Sequence, residues 1–192
     1  MVDKIKQLRE KTCASVTDCK KALDEATGDL EKAAEILRHR GADLASKKSI
    51  RQTNQGIIEA YIHNSGKVGV LLELNCETDF VARNEMFKQL AHDLAMQVAA
   101  MSPEYLDATG ISAEVIEEEK NIYREQLVDS GKPQNIIEQI IEGKIAKRNS
   151  EICLLDQPFV KDQDYSVREI INSYIGKIGE NIKVGRFVRY EI

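Results

Sequence analysis

Val68-Gly-Val-Leu-Leu-Glu-Leu-Asn-Cys76, followed at once by Glu77-Thr-Asp-Phe-Val-Ala-Arg-Asn84, is the stretch on which the fold turns. Val68, Val70, Leu72, Leu74 and Cys76 alternate with Glu73, Asn75 and Glu77, the two-residue period of a half-buried antiparallel strand. Downstream, Phe87, Leu90, Ala91, Leu94, Val98 and Met101 recur every three or four residues, the stripe of an amphipathic helix capped by Asn84 and ended by Ser102-Pro103. Between the two periods, Thr78-Asp-Phe-Val81 falls on a short connection. The spacing leaves two readings for Phe80: an apolar plug at the top of its own core, or an exposed group that enters a partner.

Working outward, Gly56-Ile-Ile-Glu-Ala-Tyr-Ile-His63 places Ile58, Ala60 and Ile62 on one face of a strand, and Asn64-Ser65-Gly66 supplies the turn of a hairpin. At the far end of the chain, Ile182, Val184, Val188, Tyr190 and Ile192 alternate, broken on that face by Arg186, and this predicts a third strand beside the hairpin. Helices are expected from Ser112 to Ser130-Gly131, after Pro133, and from the Ser166-Val-Arg-Glu169 capping box. Before the hairpin, three short helices are predicted. Val2, Ile5 and Leu8 mark the first; Thr17 caps the second, with Cys19, Ala22, Leu23 and Ala26 on one face; Asp29 caps the third, which ends at His39-Arg40-Gly41. Residues 42 to 55 read as a linker, and the cations Lys47, Lys48 and Arg51 within it as a solvated cluster. The expected class is α+β: a three-helix domain at 1–52, then an α+β core at 53–192 with a small three-stranded antiparallel sheet packed against helices.

Composition narrows the function. A formal charge of −5 and a pI near 5.4 disfavour nucleic acid as the main partner, because phosphate binding needs a concentrated basic face. With 42% hydrophobic and 31% charged residues, and no run of about 18 apolar residues, the chain reads as a soluble protein without a membrane span. The charged start, Met1-Val-Asp-Lys-Ile-Lys, lacks the apolar stretch of a secretory signal and predicts a cytoplasmic location. Cys13, Cys19, Cys76 and Cys153 show no metal-ligand spacing and read as reduced thiols. Nucleotide, hydrolase and metalloprotease signatures are all missing, and Asp79 has no nucleophile or orienting group near it in sequence. No cofactor and no metal are expected, and surface recognition is the chemistry left.

Several segments resemble one family. Leu8-Arg-Glu-Lys-Thr12, Asp18-Cys-Lys-Lys-Ala-Leu23, Gly28-Asp-Leu-Glu-Lys-Ala33 and Leu37-Arg-His-Arg-Gly41 are similar to the N-terminal domain of the translation elongation factor Ts family. Asn75 to Asn84 resembles that family's central signature, and Leu154-Leu-Asp-Gln-Pro-Phe-Val160, Gly179-Glu-Asn-Ile182 and Arg186-Phe-Val-Arg189 its C-terminal part. The resemblance implies a ubiquitin-associated-like three-helix domain, an α+β core and guanine nucleotide exchange on elongation factor Tu, without covalent chemistry. Thr78, Asp79, Phe80 and Val81 would then be the residues that disturb the partner's magnesium site, and Val16 and Thr17 a contact of the N-terminal domain. Here Cys13-Ala14-Ser15-Val16-Thr17 replaces the family's usual Gly-Ala-Gly-Met-Met, which alters that second contact. A length of 192 residues matches the short members, and by that resemblance a homodimer is expected. The alternative function is an adaptor whose three-helix domain binds a ubiquitin-like or other small protein.

Overall fold

The computed structural model describes residues 1–12, 14–128 and 133–192. The chain falls into two units, Met1–Met96 together with Arg168–Ile192, and Gln97–Val167.

The first unit opens with α1 (Val2–Thr12), α2 (Val16–Glu25) and α3 (Leu30–Lys48). Leu8, Cys19, Ala22, Leu23, Ala26, Ala33 and Ala34 form one buried cluster, flanked by Ile5, Leu30, Ile36 and Leu37. Most of these side chains are small, so the bundle core gains little apolar area per residue. Val2, expected on the inner face of α1, is exposed. Ser15 caps α2 in place of Thr17: its Oγ accepts the Asp18 N–H at 3.1 Å, and the cap sits two residues earlier than expected. Thr27 and Gly28 both take positive φ and end the turn after α2, with Gly28 N–H donating to the Leu23 carbonyl at 2.8 Å.

Asp29 caps α3 as expected, accepting from the Glu31 and Lys32 amides. The helix does not stop at Gly41, however, and the predicted linker shrinks to a few residues before the sheet. A glycine inside a helix costs about 1 kcal/mol relative to alanine. Here a Cβ on Gly41 would lie 3.7 Å from the Asn172 carbonyl oxygen, and one on Gly176 would lie 3.7 Å from the Gly41 Cα, ordinary van der Waals distances. Asn172 and Gly176 belong to α8 (Val167–Ile178), so α3 runs on past Gly41 where it lies beside that helix.

Strands β1 (Gln55–Ile62), β2 (Val68–Cys76) and β5 (Ile182–Glu191) form an antiparallel sheet in the order β1-β2-β5, as the alternation predicts. The hairpin closes through Gly66 at φ 67, with the Gly66 N–H on the His63 carbonyl at 2.7 Å. Val70, Leu72, Leu74 and Cys76 are buried on the inner face. On that face Glu59 of β1 lies 3.0 Å from His92 Nδ1, and Tyr61 meets the His92 ring edge-on at 5.6 Å. His92 belongs to α5 (Glu85–Met101), which places this helix against the inner face. Phe87, Leu90, Ala91 and Leu94 of α5 are completely buried, each large one contributing about 1.5–3 kcal/mol, whereas Met101 at the end of the predicted stripe is partly exposed.

Ile58, Ala60 and Ile62 share a face, as the alternation predicts, and it is the outer one: Ile58 and Ile62 are 69% and 66% exposed. In β5, Leu72 pairs with Phe187 but Leu74 pairs with Val184, so one extra residue is inserted between them. Such a bulge reverses the alternation. Ile182 and Val184 point inward and are buried, while Val188 and Tyr190 turn outward beside Leu71. The interruption read at Arg186 is this bulge.

In the second unit, α6 (Ala113–Leu127) is capped by Ser112, whose Oγ accepts the Val115 N–H, and α7 (Gln134–Ile152) follows Pro133. The predicted stop at Ser130-Gly131 lies outside the described residues. Buried Gln97 donates to the Gln157 side-chain oxygen and the Pro158 carbonyl, both at 3.1 Å, and accepts from the Val160 N–H at 2.7 Å. These bonds tie down the short hairpin β3 (Pro158–Phe159) and β4 (Asp162–Ser166). Among the described residues, no helix is long and apolar enough to cross a membrane.

Candidate functional site

Directly after β2 the chain makes a single helical turn, α4 (Asp79–Ala82). Thr78 is extended, with φ −126 and ψ 156, and its Oγ1 accepts the Val81 N–H at 3.4 Å. The Ala82 and Arg83 amides donate to the carbonyls of Thr78 and Asp79 at 3.2 Å each. Asn84 then starts a new helix, its Oδ1 accepting the Met86 N–H at 2.8 Å. The turn buries Ala82 and half-buries Val81, while Phe80 on its other side is 81% exposed. Phe80 is therefore exposed and does not plug the top of its own core.

Four residues of helix cannot hold themselves in water, because nucleation fixes several dihedrals for one hydrogen bond. The turn is therefore held from outside. Glu180, on the loop between α8 and β5, accepts the Glu77 N–H at 3.1 Å and the Thr78 N–H at 3.0 Å on one carboxylate oxygen, and the Thr78 hydroxyl at 2.7 Å on the other. Asn181 is buried; its N–H donates to Glu77 Oε1 at 2.6 Å, and its side-chain amide to the Arg51 carbonyl at 2.9 Å. From below, the Cys76 thiol donates to the Thr78 carbonyl at 3.1 Å. Burial, and after it the charge of Glu180, push that thiol up to about 11, so it remains a protonated donor at neutral pH.

Asp79 lies 3.0 Å from Arg83 one turn on, in an exposed pair of a kind that contributes about 0.3–0.5 kcal/mol. Its carboxylate is thus reachable and only loosely committed. The cations read as a solvated linker are partly engaged: Lys48 Nζ donates to the Gly179 carbonyl, and Arg51 Nη1 lies 3.4 Å from both Glu77 oxygens. Sequence reasoning missed these supports. Gly179-Glu-Asn carried only a likeness, and nothing in its local pattern reveals a partner some hundred residues earlier.

Val16 and Thr17 stand apart, exposed in the first turn of α2, within the three-helix bundle. Cys13, which opens the altered loop, lies outside the described residues. The described cysteines Cys19, Cys76 and Cys153 are buried and form no disulfide.

Compared with known proteins, residues 2–192 match the sequence model of the family described as Elongation factor TS. The chain is 56% identical over 191 residues to Elongation factor Ts of Thermotoga petrophila, covering 100% of this chain and 95% of that protein. Elongation factor Ts of Desulforamulus reducens is 53% identical over 188 residues, 98% of this chain and 87% of the relative. For Oleidesulfovibrio alaskensis the identity is 52% over 188 residues, with 98% and 95% covered. A match of this extent, through the bundle, the Phe80 turn and the closing strand alike, means that the chain belongs to the elongation factor Ts family.

Proposed function

We propose that this protein is a guanine nucleotide exchange factor for elongation factor Tu, acting in the cytoplasm during translation. The observation that carries the proposal is a phenylalanine, 81% exposed, on a turn held at both ends by hydrogen bonds. An exposed aromatic on a rigid support is what an interface anchor requires. A G protein holds GDP through backbone amides, a lysine and a magnesium ion that tolerates little departure from octahedral geometry. Phe80 wedges between apolar side chains of the partner near that metal, Asp79 adds a local polar or repulsive contact, and Thr78 and Val81 keep the pair in place. Displacing the metal shell by a small distance is then enough to release nucleotide. Linkage makes the effect reciprocal: the factor by which this protein weakens GDP is the factor by which GDP weakens this protein.

The test is direct. Elongation factor Tu loaded with fluorescent GDP is chased with excess unlabelled nucleotide, with and without this protein. Release should accelerate at least about tenfold, within the usual range of coupling between two ligands. No acceleration, or capture of a different small protein indifferent to GDP and magnesium, would refute the proposal.

Residues 1–52 serve in this reading as a docking domain, with Val16 and Thr17 touching the same partner away from Phe80. Val16→Asp in the intact chain is expected to weaken complex formation roughly threefold to tenfold, as for a contact worth about 1 kcal/mol, while leaving release at saturation unchanged. Unchanged affinity by titration counts against the docking role. The protein further acts as a homodimer, which the apolar outer face of the sheet supports.

A further inference from the structure

The direction in which Phe80 projects depends on groups that are distant in sequence. Backbone bonds within α4 close one turn only, and Thr78 is the hinge through which that turn joins β2. Glu180 grips this hinge with three hydrogen bonds, two from the Glu77 and Thr78 amides and one from the Thr78 hydroxyl. The hydroxyl passes the constraint on, since the same Oγ1 that donates to Glu180 accepts the Val81 N–H. A carboxylate accepting from amides and a hydroxyl makes stronger bonds than a neutral acceptor. Glu180 is itself placed from two sides: Gly179 before it takes φ 87 and binds Lys48, and Asn181 after it is buried and bonded to Glu77 and Arg51.

We infer that Glu180 is the positioning residue of the exchange tip, holding the Thr78 hinge so that Phe80 is presented in one orientation before the partner arrives. The inference rests on the proposed exchange activity at Phe80. Without the carboxylate, the Glu77 and Thr78 amides turn to water and the single turn frays. Phe80 is still present but must be ordered during binding, and a misplacement of about 1 Å at a working group is enough to cost about a hundredfold in rate.

The experiment compares Glu180→Ala, Glu180→Gln, Phe80→Ala and the Glu180→Ala/Phe80→Ala double variant in the GDP-release assay at saturating factor, with amide hydrogen exchange on the free proteins. Glu180→Ala should lower the maximal release rate about tenfold to a hundredfold. It should also speed exchange of the Glu77, Thr78 and Val81 amides at least about tenfold, leaving the sheet amides protected. Glu180→Gln should recover most of the rate, because its oxygen can accept both amides while its NH2 donates to the Thr78 oxygen. In the double variant, Glu180→Ala should add no more than about twofold to the Phe80→Ala defect, since residues acting as one unit are not additive. A wild-type rate for Glu180→Ala beside a defective Phe80→Ala overturns the inference alone, as does a full additive loss in the double variant or unchanged amide exchange. A wild-type rate for Phe80→Ala removes Phe80 from the exchange mechanism and overturns the inference with it, whereas no release by the parent protein overturns the exchange reading. Should Glu180→Ala fail to fold, Glu180→Asp, which withdraws the carboxylate by one methylene, carries the same expected loss.

Discussion

Phe80→Ala is expected to reduce stimulated GDP release from elongation factor Tu by at least about thirtyfold, the equivalent of a hot-spot contact of about 2 kcal/mol or more. Stability should change by no more than about 0.5 kcal/mol, because a side chain already 81% exposed gives up little buried area when it is removed. Phe87→Ala supplies the contrast. That ring is 0% exposed, and its loss should cost about 3–5 kcal/mol, a large part of a typical domain's stability. Thermal unfolding followed by circular dichroism should therefore separate the two variants clearly, with Phe87→Ala melting earlier and Phe80→Ala melting like the parent. At a temperature where both are folded, Phe87→Ala should exchange nucleotide nearly normally and Phe80→Ala should not. Wild-type release by folded Phe80→Ala would remove the wedge from the mechanism.

Ile62→Glu is expected to convert a dimer into monomers. Ile58, Ile62 and Tyr190, at 69%, 66% and 71% exposure, lie on the outer face of the sheet with Leu71 and Val188. Ile62 stands opposite Gly69, and Gly69 stands opposite Tyr190; Ile62 Cδ1 lies 3.0 Å from where a Gly69 Cβ would sit, so Ile62 leans over the middle strand. A second copy related by a two-fold axis meets the same surface with itself, and two such sheets pack face to face about 10 Å apart. A glutamate at position 62 is solvated in the monomer but would be buried unpaired in that interface. The dissociation constant should rise about a hundredfold, roughly 2.7 kcal/mol, as measured by sedimentation equilibrium. A parent protein that sediments as a monomer, or a variant that dimerises unchanged, rejects the homodimer.

Much of this fold is written in local pattern, and the departures share one cause. Residues 80, 87 and 94 are seven apart, so helical periodicity run backward from α5 would carry Phe80 into the core with Phe87 and Leu94. The helix is instead interrupted at Arg83-Asn84, and the turn before it is anchored to Glu180, so Phe80 leaves the face that its spacing suggests. The capped start at Asn84 was legible; the angle between the two helices was not. Likewise, α3 runs on through Gly41 despite its stop signal, and one inserted residue in β5 turns Val188 and Tyr190 from the core to the surface.

By itself, then, the sequence determined the α+β class, the pairing of the closing strand with the hairpin, the Asp29 and Asn84 caps and the buried stripe of α5, because each follows from a repeat or a cap read within a few residues. Tertiary structure alone decided which way Phe80 points, which sheet face stays open and where α3 ends. Those outcomes depend on hydrogen bonds between segments more than a hundred residues apart, on one residue inserted in β5 and on the surroundings of α3, none of which a repeat or a cap read within a few residues displays.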